Sequence, residues 1–180
     1  MPISIYSNSE LSFNVVQQED IALAQEIFER NSVYHNSVVH KSPSAMAEAC
    51  FHSQAPAVKN SRVFKYFLLI DMPKLATKPV AVLDLFVGFP NYKMASIATL
   101  LVRENLHRKG IASSILASLP QFLQQAHPAC TTLSISVTDN NVAALRCLVK
   151  NEFKRVDSFL KIDANDREYT ALTYRKSFKE

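Results

Sequence analysis

Two places in this chain hold residues whose types and spacing could do chemistry. Asp84 stands alone inside an apolar run, PVAVLDLFV. A carboxylate in such a run is costly to bury unless it is paired or used. Alternation along a strand sets Asp84 on one face with Val82 and Phe86, where it could point into a cleft or pair with a lysine or arginine. The second place is LVRENLHRKGIASSIL, residues 101–116, where Arg103, His107, Arg108 and Lys109 lead to Gly110, one of only two glycines. The first amides of a helix lack an intrahelical acceptor and can cradle a phosphate. Gly110 permits close backbone approach there. The helix dipole adds on the order of 0.3–1 kcal/mol for an anion. A P-loop needs GxxxxGK with a following Ser or Thr, and a dinucleotide loop needs three glycines; Gly88 and Gly110 are too far apart for the first and too few for the second.

Composition narrows the class. The chain has 180 residues, 48% hydrophobic and 20% charged, which fits one globular domain over residues 1–180. No apolar run approaches the ~18 residues of a membrane span. The start, MPISIYSNSE, lacks the basic and apolar parts of a secretion signal. Cys50, Cys130 and Cys147 are an odd number without CxxC spacing, which reads as reduced thiols in a cytoplasmic protein. The five histidines show no metal-ligand spacing, so no metal is expected. A net charge of +4 suits an anionic cofactor, and without basic–aromatic interleaving it predicts no nucleic-acid partner.

The elements that must position these residues follow from periodicity. FNVVQQED reads as a strand, and Asp20 then caps a helix with Ile21, Ala24, Ile27 and Phe28 on one face. A polar loop, NSVYHNSVVHKSP, precedes a short helix with Ser42 and Pro43 at its start. RVFKYFLLID and KPVAVLDLFV read as a hairpin, and MASIATLLV as the next strand. A helix from about Gly110 to Gln125 follows, with Pro120 expected to kink or split it. TTLSISVTD is a strand, and NVAALRCLVKN a helix with Val142, Leu145 and Leu148 or Val149 on its apolar stripe. FKRVDSFLKID and EYTALTYRKS close the chain as strands. The expected class is α/β, a mixed and largely antiparallel sheet with flanking helices.

HRKGIA, between a strand and a helix, resembles the Q/R-x-x-G-x-G/A loop of the GCN5-related N-acetyltransferase (GNAT) superfamily. NNVAALRCLVKNEF resembles that family's N-x-x-A-x-x-L-Y-x-x-x-G-F, with Asn141, Ala144 and Phe153 in register. PVAVLDLFVGFP is similar to one branch of the same family.

The resemblance implies an acyl-CoA N-acyltransferase fold with acetyl-CoA as donor, held in a gap between two splayed parallel strands. Carried over, Leu101 and Val102 would bind the pantetheine arm by their backbone. Arg103, His107, Arg108, Lys109, Gly110, Ile111, Ala112 and Ser113 would surround the pyrophosphate. Asn141 and Ala144 would meet the arm from the next helix. Asp84 would be the base, and Tyr34, His35 and His40 would line the acceptor pocket. The implied activity is direct transfer, in a ternary complex, to a primary amine of a small molecule or peptide, by a monomer or homodimer. The family's tyrosine, a proton donor to the leaving thiolate, falls on Leu148, and this departure leaves a non-catalytic acyl-CoA-binding sensor as the alternative.

Overall fold

A computed structural model describes residues 3–32, 44–59, 62–162 and 168–178. The strands are β1 (Ile3–Ser7), β2 (Ser12–Val15), β3 (Phe64–Asp71), β4 (Ala81–Val87), β5 (Met94–Val102), β6 (Thr132–Thr138), β7 (Lys154–Ile162) and β8 (Glu168–Ser177). The helices are α1 (Ile21–Glu29), α2 (Met46–His52), α3 (Ile111–Ala126) and α4 (Val142–Lys150). The strands form one sheet in the order β1-β2-β3-β4-β5-β6-β8-β7. Every neighbouring pair is antiparallel except β5 and β6, which run parallel with α3 as their crossover. This is the mixed, largely antiparallel α/β architecture that the sequence predicts.

Two apolar layers sandwich the sheet. One face carries Leu83, Leu85, Ile97 and Leu133, and buries them with Ile115, Leu119 and Leu123 of α3 and Leu148 of α4. The other carries Phe67, Val82 and Leu101, packed with Ala24, Ile27 and Phe28 of α1 and Ala47 and Cys50 of α2. Strand alternation makes the two faces apolar in turn, which is why β4 reads as a nearly continuous apolar run. Asp84 lies between Leu83 and Leu85 and so belongs to the α1/α2 face.

Some local expectations differ from the structure. β1 has no counterpart among the expected strands: its five-residue ISIYS run is short, and it pairs on one side only, in a local hairpin with β2. Asp20 holds the N-cap position of α1, but its side chain makes no capping bond there. Its Oδ2 accepts from Gln17 N at 3.0 Å in a 3₁₀ turn, Gln18–Asp20, that precedes the helix. Ser42 and Pro43 lie outside the described residues, and α2 begins after Ala45. Pro120 neither stops nor splits α3, which is helical from Ile111 to Ala126. A mid-helix proline costs ~3 kcal/mol, whereas Leu119, Phe122 and Leu123, all fully buried, each gain roughly 1.5–3 kcal/mol. In α4 the stripe is Leu145 and Leu148, while Val142 and Val149 face solvent.

Candidate active site

The parallel pair β5–β6 is joined only over its first half. Register runs from Met94 opposite Thr132 to Ile97 opposite Ile135, and stops there. Beyond it the strands separate. A bulge coincides with the parting: on the β4 side Asp84 pairs with Thr99 and Leu85 with Ile97, which leaves Ala98 out of register. A bulge bends its strand and sharpens the local twist. The resulting cleft has a volume of about 890 Å³ and is walled by residues 98–102 of β5 and 135–138 of β6, with the starts of α3 and α4 at one end.

Gly110 stands immediately before α3 with φ 78°. That left-handed conformation favours glycine, and a Cβ built there would meet nothing within 4 Å. The bare face of the residue is therefore open toward the cleft, beside the first amides of a four-turn helix. Ile111, Ala112, Ser113 and Arg108 line the same end, and Arg108 itself has φ 62°. A cradle of main-chain N–H groups, an arginine and a missing side chain is a chemical match for a pyrophosphate.

Most of the residues marked in the sequence meet in this cleft: Leu101, Val102, His107, Asn141 and Ala144 line it with the α3 start. Three do not. Arg103 turns away: its Nε donates to Pro79 O at 2.6 Å, and its terminal nitrogens reach Glu26 at 3.2 and 3.4 Å. Arg103 holds the Glu26 carboxyl below its ordinary pKa, mainly through that hydrogen bond. Its charge is spent fastening α1 to the end of β5, because the side chain following Val102 points out of the gap. Lys109 is exposed and does not line the cleft. Asp84 is likewise absent from the cleft wall and sits one strand back. Tyr34, His35 and His40 lie outside the described residues.

His107 is a clasp for the strand end. Its Nε2 lies 2.9 Å from Val102 O, and Asn31 Nδ2 donates to the same carbonyl at 2.8 Å. Asn31 Nδ2 also lies 3.3 Å from His107 Nε2, so the three groups form one cluster at the strand end. Val102 O therefore points into the gap, and alternation gives the Leu100 main chain the same direction, while Leu101 turns its backbone to β4 and its side chain to the α1 layer. The main chain that faces the gap is thus that of Leu100 and Val102, on either side of Leu101. Asn31 is fully buried and had no recognisable signal in its polar stretch. Asn141 caps α4: its Oδ1 accepts from Ala144 N at 3.1 Å. Asn151, Ser113 and Cys147 tie the end of α4 to the start of α3, with Asn151 Nδ2 donating to Ser113 Oγ at 2.9 Å and to Cys147 O at 2.8 Å.

Asp84 is 4% exposed, and its Oδ1 has no hydrogen-bond partner among the described residues. Burial pushes its pKa up to about 6, against the pull of Lys65, a Cys50 thiol hydrogen bond and the Leu85 backbone. Lys65 does not quench it fully, because its ammonium is held by Cys50 O and by Ser53 O at 3.0 Å.

Asp84 pairs directly with Thr99, which lines the cleft. Across the gap, Ser136 follows Ile135 and turns to the same sheet face, and its Oγ lies 2.9 Å from Thr173 Oγ1. Asp84, Thr99, Ser136 and Thr173 thus form a polar row where the strands part. Sequence reading missed the hydroxyl half of this row, since isolated Ser and Thr residues in strands carry no signal until register aligns them.

Comparison with known proteins places this geometry. The acetyltransferase (GNAT) family matches residues 36–153. The chain belongs to the GNAT acetyltransferase family. No curated protein matches its sequence. Among solved structures, an acetyltransferase from Thermus thermophilus superposes with TM-score 0.67 at 16% identity, covering 99% of this chain and 100% of that one. An aminoglycoside acetyltransferase in complex with coenzyme A gives TM-score 0.67 at 14% identity, covering 93% and 94%. RimL, a ribosomal α-N-protein acetyltransferase in complex with coenzyme A, gives 0.68 at 13% identity, covering 97% and 98%.

The GNAT chain uses acetyl-CoA as its donor, and the open face at Gly110 and the long gap between β5 and β6 fit that thioester. Its departures from the GNAT pattern are visible in the backbone. Glu152 occupies the glycine position of the second motif and takes φ 66°, so the left-handed turn persists without the glycine. Leu148 occupies the tyrosine position, 2% exposed, and offers no proton.

Proposed function

We propose that the chain, acting as a single domain, transfers the acetyl group of acetyl-CoA directly to a primary amine of a small molecule or peptide in a ternary complex. The observation that carries this is the half-open β5–β6 pair, with the Gly110 turn at one end and the Asp84–Thr99 pair at the other. Similar structures include an aminoglycoside acetyltransferase bound to kanamycin and a protein α-N-acetyltransferase, which supports both acceptor classes.

Acetyl-CoA supplies an activated thioester carbonyl when bound. The amides at the start of α3, with Arg108, would hold its pyrophosphate, and the main chain of Leu100 together with the Val102 N–H would pair with the pantetheine arm. The amine must lose a proton as its nitrogen–carbon bond forms and the carbon–sulfur bond breaks. Asp84, ionised above about pH 6, accepts that proton by way of the Thr99 hydroxyl or water. Tyr34, His35 and His40 belong to the acceptor side in this reading. With Leu148 in place of the tyrosine, the thiolate leaves unassisted or toward the Ser136 hydroxyl. General-acid help is worth ~10²–10⁴-fold, so turnover is expected to be slow but measurable.

Leu148 also favours one second reading, a sensor that binds acyl-CoA without transferring it. Calorimetry with acetyl-CoA, followed by thiol release over a panel of amines, decides. Saturable binding with amine-dependent release is the expected result. Binding without release from any amine supports the sensor, and absence of binding overturns both readings.

A further inference from the structure

β7 is an outer edge of the sheet, and all nine of its residues, Lys154–Ile162, are exposed. Nine large hydrophobic side chains are exposed among the described residues, and four of them, Val156, Phe159, Leu160 and Ile162, fall in this one strand. The opposite edge, β1, has five residues and a bulge. An exposed edge of this length and apolarity is a template for another strand, and soluble proteins usually blunt such edges with like charges, proline or a cover. Here the charges are mixed in sign, and their order is self-complementary.

We propose that β7 pairs antiparallel with β7 of a second copy of this chain, about a two-fold axis between the two Phe159 residues. In that register Asp157 opposes Lys161 of the copy, and by symmetry Lys161 opposes the copy's Asp157. Ser158 opposes Leu160, and Phe159 meets itself. Side chains one apart on a strand lie on opposite faces, so the two ion pairs flank the paired rings on one face while Leu160 and Ile162 gather on the other. Neighbouring registers do worse. A centre one residue earlier sets Arg155 against Lys161, two earlier sets Asp157 against its own copy, and one later pairs no opposite charges within the strand. Like charges placed directly opposite destabilise a sheet.

The five residues used, 157–161, lie outside the β7–β8 bulge between Arg155 and Asp157. In the single chain Lys161 lies over the Phe159 ring at 5.1 Å, and Asp157 Oδ1 accepts from Ser158 N at 2.8 Å. The inference does not depend on acetyl transfer, because the cleft and β7 share no residue.

Sedimentation velocity of the full chain over a wide concentration range tests it. A reversible monomer–dimer equilibrium is expected. Asp157→Lys and Lys161→Asp each place like charges at two symmetric sites, so either is expected to weaken dimerisation by about tenfold or more. The double swap restores opposite charges and is expected to recover most of the loss. Circular dichroism checks that each variant folds. A chain monomeric at every concentration, with its edge left to some other strand, overturns the proposal. So does a dimer indifferent to the single swaps, or one that the double swap fails to rescue.

Discussion

Asp84 stands directly opposite Thr99 across the β4–β5 pairing, at the bulge where the β5–β6 gap opens. The carboxylate is enclosed, but its register partner is part of the cleft wall. If Asp84 accepts the acceptor's proton, turnover should rise with pH through an apparent pKa of about 6. Asp84→Asn is expected to lower kcat by ~10²–10⁴-fold and to abolish that inflection while leaving acetyl-CoA affinity unchanged. A pH–rate profile of both proteins, with calorimetry, makes the check; an unaltered inflection in the variant assigns Asp84 to structure alone.

The same carboxylate should burden folding. Its folded pKa lies above the unfolded value near 3.8, so its favourable contribution is complete below the unfolded value and is lost as pH rises through about 6. Asp84→Asn should therefore raise stability by roughly 1–2 kcal/mol near pH 8 and by little near pH 4. Urea unfolding at the two pH values measures the difference. Equal effects at both would mean the carboxylate is better solvated than its burial implies.

Gly110 is placed to separate fold from binding. A Cβ there meets no neighbour within 4 Å, so Gly110→Ala costs only the left-handed backbone penalty of about 1–2 kcal/mol. Gly110→Glu adds bulk and a negative charge to the proposed phosphate cradle. Its acetyl-CoA dissociation constant should rise by at least about tenfold, or 1.4 kcal/mol, with the fold retained. Calorimetry beside a thermal melt tests both halves; unchanged affinity would remove the loop from the binding site.

The strand–turn–helix around Gly110 was legible because its signals are local. A glycine before a helix, basic neighbours and a flanking strand all lie within sixteen residues of chain. The Asn141 start of α4 was legible for the same reason, and its capping bond to Ala144 is the physical content of the motif. Arg103 misled because charge in a loop says nothing about direction, and direction is set by Glu26, far away in sequence. Asn31, Ser136 and Thr173 were invisible, since their roles exist only after strand register and helix packing bring them to β5 and the gap. Asp84 falls between these cases: alternation along β4 set its face, but only the sheet order shows that it stands one strand behind the cleft.

Glu152 holds a left-handed backbone, φ 66°, at a position where the GNAT motif has glycine. Its compensation is an exposed ion pair with Lys176 at 3.1 Å, which water screens. Glu152→Gly should remove the strain and stabilise the fold by roughly 1 kcal/mol, with a small offset from the lost pair and from glycine's freedom in the unfolded chain. Chemical denaturation measures the net effect. A loss of stability would show that the Lys176 contact outweighs the backbone strain.

Cys147 provides a report on cleft occupancy that is independent of turnover. Cys130 and Cys50 are buried, whereas Cys147 is part-exposed and lines the cleft beside Ser113. A maleimide in excess should therefore modify Cys147 first, because thiol reactivity requires access. Acetyl-CoA, whose own sulfur is blocked, should cover it, and saturating amounts should slow the modification by about tenfold, as expected when little free protein remains. Peptide mass spectrometry over a time course gives the site and the rate. Modification at Cys147 that proceeds equally fast with and without acetyl-CoA would place the thioester somewhere other than between β5 and β6.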